Sequence, residues 1–397
     1  MLNVGKFMKS NTNYLLNSIA YLVTFGFLFP IGFSQYFNFY KRIQNIYILC
    51  VALLIAIFII YRILSSKSIE FSPALVSLIT CYIILLIITM CRQHSINQGY
   101  QKIFFIPLMC IFINSILRLN FKLYINVLGN LLIGILFLNL IIFNQLLFSS
   151  YFYPSVNNTM FIGHVQTASE IGILSVFVGL VLKKTGREKK GLFLFILALL
   201  TMVYSRTMAS YLALIEFLIF GLLRKERLCN RIISNNIVPI FFLLIVLNYF
   251  LVNANSYFPF SSELDLLSSG RVTIWYLGLL LVEGSPISGY GAYGAKIKPY
   301  WIQWMNNNVG FNYAHNTILQ LLLDGGIILT VMSIITLLLY INNIKRIHCL
   351  KLKYFISCLL LIYLSIGMVE SLTEYNYFFI FLSFLPFVKY LSKDGFS

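Results

Sequence analysis

Arg206, Arg271 and His315 are the side chains of this sequence best suited to handling a phosphate and a proton. A guanidinium presents a planar fork of N–H donors that matches phosphate oxygens and stays charged at any physiological pH. An imidazole can bind phosphate or move a proton near neutrality. Glu170, Glu370 and Glu374 could each supply a base beside them, or could equally be the ionic partner of an arginine, and Glu216 lies mid-span, where a surface role is hard to assign. The sequence offers no D-x-D pair and no CxxC or Cys/His spacing, so neither a metal site nor a disulfide framework is expected from its seven cysteines.

The elements that must position these groups are apolar. The 397 residues are 59% hydrophobic and 10% charged, and apolar runs recur at about 20 residues, the length that crosses a ~30 Å hydrocarbon layer. Runs at 14–33, 43–61, 72–90, 103–117, 123–148, 165–182, 191–205, 207–223, 233–252, 316–341, 354–373 and 375–388 predict an all-α polytopic membrane protein of about 12 spans. The first run is long and lacks a small-residue cleavage site, which reads as a retained span rather than a signal peptide.

With both termini cytoplasmic, only Lys41, Arg42, Arg92, Lys102, Arg206, Arg271, Lys296 and Lys298 of the 29 basic residues fall on the outer side. That bias has the sense of the positive-inside rule. The net charge of +17 is therefore mainly a topology signal, and nucleic acid is not an expected partner because the cations are divided among short loops. One integral-membrane domain over 1–397 is expected, with a single large outer loop at 253–315.

The stretch 191–223 lies between two basic segments that should both be inside, so it must go out and return. Two arms of about 15 residues rise roughly 22 Å each, less than the hydrocarbon thickness, which puts Ser205 and Arg206 below the outer surface. An arginine at that depth needs a wet cavity or a partner anion. The alternative is an arginine snorkelling to the headgroups.

The long loop holds all three tryptophans, Trp275, Trp301 and Trp304, together with many tyrosines and phenylalanines, as an interfacial subdomain would. Its segment 271–283 is apolar but too short to span and reads as an interfacial or re-entrant helix ending before Gly284 and Pro286. Arg271 at its start could hold an anion together with the unpaired N–H groups, or be a solvated loop cation. Gly289, Gly291 and Gly294 spell G-x-G-x-x-G, but no βαβ unit surrounds them, which excludes a dinucleotide site. The turn instead permits a close backbone approach to a membrane surface or a ligand, or is an ordinary flexible loop. His315 and Asn316 stand where the loop re-enters the membrane, and His315 there could bind phosphate or move a proton, or be an interfacial cap.

Taken in order, SRTMAS at 205–210, SGRVTIW at 269–275, PISGYGAYG at 286–294 and AHNTILQLLLDGGI at 314–327 resemble the O-antigen ligase and Wzy-type polymerase superfamily. The resemblance covers 205–327 and implies a GT-C-like integral-membrane glycosyltransferase acting on an undecaprenyl-diphosphate-linked oligosaccharide at the outer face of the bacterial cytoplasmic membrane. It implies Arg206 and Arg271 at the diphosphate and His315 at the acceptor hydroxyl or a phosphate oxygen. Ser205, Trp275, Gly289, Gly291, Asn316 and Glu170 are the expected substrate-binding residues. The reaction it implies is inverting, with no cofactor and no metal, because positioned arginines can stabilise a departing diphosphate.

Polymerase and ligase differ by acceptor. A composition rich in Ile, Asn, Phe and Tyr suggests an AT-rich genome and a low-GC Gram-positive cell without lipid A core. That favours a polymerase for capsule or exopolysaccharide, with a flippase and a chain-length regulator of the same pathway as partners. A ligase-like transfer remains the first alternative. A flippase would show repeat symmetry and mid-membrane helix breaks, and a non-catalytic scaffold would tolerate loss of the two arginines and the histidine.

Overall fold

The computed structural model describes residues 2–35, 37–64, 70–92, 97–142, 159–259, 261–268, 270–298 and 313–391. Trp301 and Trp304, which carry part of the interfacial reading of the long loop, lie outside the described residues.

The helices α1 (Leu2–Phe27), α2 (Asn38–Leu64), α3 (Pro73–Cys91) and α4 (Asn97–Ile142) come first. An antiparallel pair follows, β1 (Thr159–Met160) with β2 (Gly163–His164), in which Thr159 faces His164. Next come α5 (Thr167–Lys184), α6 (Glu188–Ser205), α7 (Met208–Leu223), α8 (Arg227–Asn235) and α9 (Ile237–Val252). The long loop contributes α10 (Ala254–Tyr257), α11 (Ser261–Leu267) and α12 (Arg271–Gly284). The chain then runs through α13 (Thr317–Lys345), α14 (Leu350–Ile366), α15 (Asn376–Phe384) and α16 (Val388–Leu391).

Four of the described helices, α2, α3, α4 from Lys102 and α13, are long and apolar enough to cross a membrane, and α8 with α9 would make a fifth if that bent pair is one span. Along α2, Ile46, Leu49, Leu53, Ile57, Ile60 and Leu64 are all exposed at helical spacing, opposite buried Val51, Ile55 and Phe58. An apolar stripe that no protein covers is what a lipid-facing helix presents. The chain is an all-α membrane protein. The runs 103–117 and 123–148 share α4, which is interrupted at Asn120 (φ −156, ψ 88). There Asn120 Oδ1 accepts the Leu123 N–H at 3.0 Å, so its side chain caps the second half as a new helix start.

The chain divides into two compact units, Met1–Glu70 with Leu108–Tyr211, and Phe71–Pro107 with Leu212–Ser397. In the first, α5 and α6 form a hairpin with Gly179 against Gly191: a Cβ on Gly191 would stand 2.3 Å from the Gly179 carbonyl oxygen. In the second, α3 packs along α13, with the Ser77 and Thr336 hydroxyls 2.7 Å apart, and an apolar cluster gathers around Trp275, Tyr290, Ala314, Leu319 and Leu323. That cluster holds α12, the glycine turn and the start of α13 as one body.

Candidate functional site

The second unit brings Arg271 and His315 onto one carboxylate. Arg271 opens α12 after Gly270, whose positive φ of 83 turns the chain into the helix. Its Nη2 donates to Glu370 Oε1, and both side chains are buried. Glu370 Oε2 lies 3.1 Å from His315 Nδ1. A buried carboxylate shared by an arginine and a histidine is held in one orientation, and it holds the histidine in turn.

The backbone around His315 is as constrained as the side chain. His315 is left-handed (φ 50), a conformation that costs an L residue about 1–2 kcal/mol. Trp275 Nε1 donates to the His315 carbonyl at 3.4 Å, and the Ala314 N–H donates to Gln320 Oε1 at 2.8 Å. Asn316 caps α13, its Oδ1 accepting the Leu319 N–H at 3.0 Å while its Nδ2 donates to Asn248 Oδ1 at 2.6 Å and to the Met368 carbonyl at 2.8 Å. Thr317 Oγ1 donates to the Glu370 carbonyl at 2.9 Å, tying the start of α13 to the carboxylate's own backbone.

Trp275 is 1% exposed and holds the His315 backbone, and Asn316 is fully buried with both ends of its amide engaged in the fold. The start of α12 has a carboxylate of its own. Asp265 already occupies that helix terminus, accepting the Thr273 N–H at 2.9 Å and the Thr273 hydroxyl at 2.8 Å, which satisfies an unpaired donor and the positive end of the helix dipole. Asp265 is thus a helix cap.

The glycine turn approaches the protein's own helix. α13 is broken at Gly326 (φ 62, ψ −160), and residues 286–291 lie across the break. The Tyr290 and Gly291 N–H groups donate to the Leu323 and Asp324 carbonyls, each at 2.8 Å, and the Ile327 and Ile328 N–H groups donate to the Pro286 and Ile287 carbonyls at 2.9 and 3.3 Å. Gly289 (φ 60) has no room for a side chain, since a Cβ would meet the Leu323 carbonyl oxygen at 2.6 Å. The close approach that Gly289 permits is therefore to a broken helix, while Gly291 (φ 82) lies against α3, where a Cβ would stand 2.9 Å from Thr89 Cα.

A second ionic group shares the segment that carries Glu370. Lys102 Nζ donates to Glu374 Oε1 at 2.7 Å, and the Tyr293 hydroxyl donates to Glu374 Oε2 at 2.7 Å. Burial and the Glu374 charge raise the Tyr293 phenol well above its ordinary range, so it stays a donor. Its N–H donates to Asp324 Oδ1 at 3.3 Å, and Gln320 Nε2 donates to the same oxygen at 2.9 Å.

In the first unit, Arg206 is exposed at the tip between α6 and α7 and left-handed (φ 52, ψ 26). Ser205, buried beside it, donates to the Met202 carbonyl and to Ser210 Oγ, each at 2.8 Å, and Thr207 donates to Ser210 Oγ at 2.9 Å. These bonds hold the tip in shape. Glu170 is buried in the first turn of α5, where a carboxylate is favoured by the helix dipole.

Residues 191–334 match the family described as O-antigen ligase. The match takes in the stretch from near the start of α6 into α13. Members of that family are membrane glycosyl-transferring enzymes, and the match supports an enzyme of a multi-pass membrane class at that coarse level. No curated protein matches it.

The O-antigen ligase stretch contains Arg206, Arg271 and His315 but ends before Glu370 and Glu374. Sequence reasoning named Glu370 as a base or an arginine's partner and could not pair it, because its two partners lie 99 and 55 residues away. Lys102 was named only as one of the eight outer-side cations, with no site role. Its only signal was a lysine at the start of an apolar run, which ordinarily marks a headgroup contact.

Proposed function

We propose that the chain is a polysaccharide polymerase that joins undecaprenyl-diphosphate-linked oligosaccharide repeat units at the outer face of the bacterial cytoplasmic membrane. The reading carries with it about twelve spans, cytoplasmic termini and a GT-C-like architecture, and capsule or exopolysaccharide as the product. The observation that supports it best is the single buried carboxylate, Glu370, shared by Arg271 and His315.

With Glu370 ionised against Arg271, the tautomer that satisfies the 3.1 Å contact carries its proton on His315 Nδ1. Nε2 is then the ring's acceptor, suited to take the proton of an acceptor hydroxyl as its oxygen bonds to the anomeric carbon. The bond from that carbon to the lipid diphosphate breaks, and the electron pair leaves on the phosphate oxygen. Attack from the face opposite the diphosphate inverts the anomeric centre. Arg271, Glu370 and a neutral His315 sum to zero charge, and proton transfer makes the group positive as the diphosphate departs. Arg206 is the second cation assigned to the diphosphate, by the resemblance of its SRTMAS tip.

The break in α13 is a feature that would favour a transporter, in which unwound helices line a substrate path. Here the carbonyls and N–H groups at the break are bonded to residues 286–291, which leaves little unwound backbone for a cargo.

The test is polymer length on a gel from cells lacking the native protein and carrying wild type, Arg206→Ala, Arg271→Ala or His315→Ala at matched membrane levels. Single lipid-linked repeats accumulating at the outer leaflet in the variants support the polymerase. Normal polymer from all three overturns the assignment, and loss of outward-facing repeats points to a flippase.

A further inference from the structure

At the turn from α7 into α8 the chain builds a basic pocket that the glycan-transfer reading does not use. α8 meets α9 at 72°, so if α9 runs through the bilayer, α8 lies close to its plane. Arg227, Arg231 and Asn235 follow one another at four-residue intervals along one side of α8, and all three are exposed. Leu228 and Ile232, 69% and 48% exposed, form the adjacent strip. The opposite side is anchored to the protein: Asn230 and Ser234 are buried, and Asn230 Nδ2 donates to the Arg224 carbonyl at 2.9 Å. A short helix with cations beside exposed leucine and isoleucine is built to sit in the headgroup layer.

Arg227, Leu228, Arg231, Asn235 and Leu350 line an open pocket between α8 and the start of α14. Asn235 Oδ1 accepts from Lys353 Nζ at 3.2 Å, which brings a third cation to its rim. Residues 224–231 and 345–353 together hold eight lysines and arginines and one carboxylate, Glu226. Two guanidiniums four residues apart suit phosphate oxygens, and Leu228 and Leu350 beside them suit the first carbons of an acyl chain.

We propose that this pocket is a headgroup site for an anionic phospholipid of the surrounding bilayer, with Arg227 and Arg231 on the phosphate and Leu228 and Leu350 against the glycerol and acyl carbons. The proposal commits to a bilayer lipid because the cations are joined to exposed apolar side chains on one short helix, which a soluble anion would not need. It does not depend on the glycan-transfer reading, and it places the lipid on the leaflet toward which the basic loops face.

The experiment is native mass spectrometry of the full chain released from nanodiscs of phosphatidylcholine and phosphatidylglycerol in equal amounts, comparing wild type with Arg227→Gln/Arg231→Gln. Each basic residue near an anionic surface strengthens binding by severalfold. Wild type should therefore retain phosphatidylglycerol over phosphatidylcholine by on the order of tenfold, and the double variant should fall to about twofold or less. Melting in pure phosphatidylcholine should be the same for both, which shows that the variant folds. A double variant that keeps the wild-type preference overturns the proposal, as does a wild type with no preference. Loss of the preference on adding soluble glycerol phosphate would overturn the assignment to a bilayer lipid. An Arg62→Gln variant, altered in the other compact unit, should keep the full preference, and its loss there would overturn the location.

Discussion

His315 Nδ1 stands 3.1 Å from Glu370 Oε2, and the other oxygen of that carboxylate holds Arg271. The histidine is thus oriented by a group whose charge is fixed by an arginine. Glu370→Gln keeps the shape but removes the charge that selects the Nδ1–H tautomer. Its chain-extension rate in proteoliposomes should fall by on the order of 10²-fold or more, with the apparent affinity for lipid-linked repeat changing far less. Glu370→Gln combined with His315→Ala should be little worse than His315→Ala alone, since the two act as one unit. Additive losses would sink the idea that the carboxylate works through the imidazole.

Gly326 is the position where a side chain is least tolerable. At φ 62 and ψ −160 it occupies backbone space nearly closed to L residues, and a Cβ would stand 2.2 Å from the Ile287 carbonyl oxygen. Gly326→Ala should destabilise the protein by about 3 kcal/mol or more, read as a lower melting temperature in detergent and lower membrane accumulation. Gly221 in α7 is the comparison: nothing lies within 4 Å of a Cβ there, and Gly221→Ala should be neutral or stabilise by up to about 1 kcal/mol.

Lys102, Glu374 and Tyr293 make a prediction with a pH sign. The phenol is raised well above its ordinary value by burial and by Glu374. A group whose folded pKa is raised contributes stability that is complete below its unfolded value, near 10, and is lost as pH rises beyond it. The melting-temperature difference between wild type and Tyr293→Phe should therefore be constant from pH 7 to about 9.5 and shrink above about 10. Lys102→Met leaves Glu374 buried without its cation and should cost about 3–5 kcal/mol. Lys102→Met/Glu374→Gln should recover part of that loss.

What was legible in the sequence follows the range of the interaction. The two helices over 191–223, with their break at Arg206, and the helix from Arg271 were readable because basic flanks, apolar length, Gly284 and Pro286 are local signals. The Asp265 cap was not, because its bonds to Thr273 span eight residues and leave no periodic trace. The break at Gly326 was hidden for another reason. Hydropathy is blind to backbone direction, and Gly325 and Gly326 sit in an apolar run that reads as continuous helix. The turn at 286–291 carried the clue, since glycines that admit close backbone approach need a backbone to approach.

Arg206 allows function to be separated from fold in one position. It is exposed and left-handed (φ 52, ψ 26), so the wild-type side chain is kept at a site where glycine would relieve about 1–2 kcal/mol of backbone strain. Arg206→Gly should therefore melt at or above the wild-type temperature, whereas Arg206→Ala retains the strain and should melt near it. If the guanidinium serves the diphosphate, both variants lose polymer to the same degree despite their different stabilities. Polymer that persists in the more stable glycine variant would mean that Arg206 shapes the tip, with the hydroxyls of Ser205, Thr207 and Ser210, and does not handle substrate.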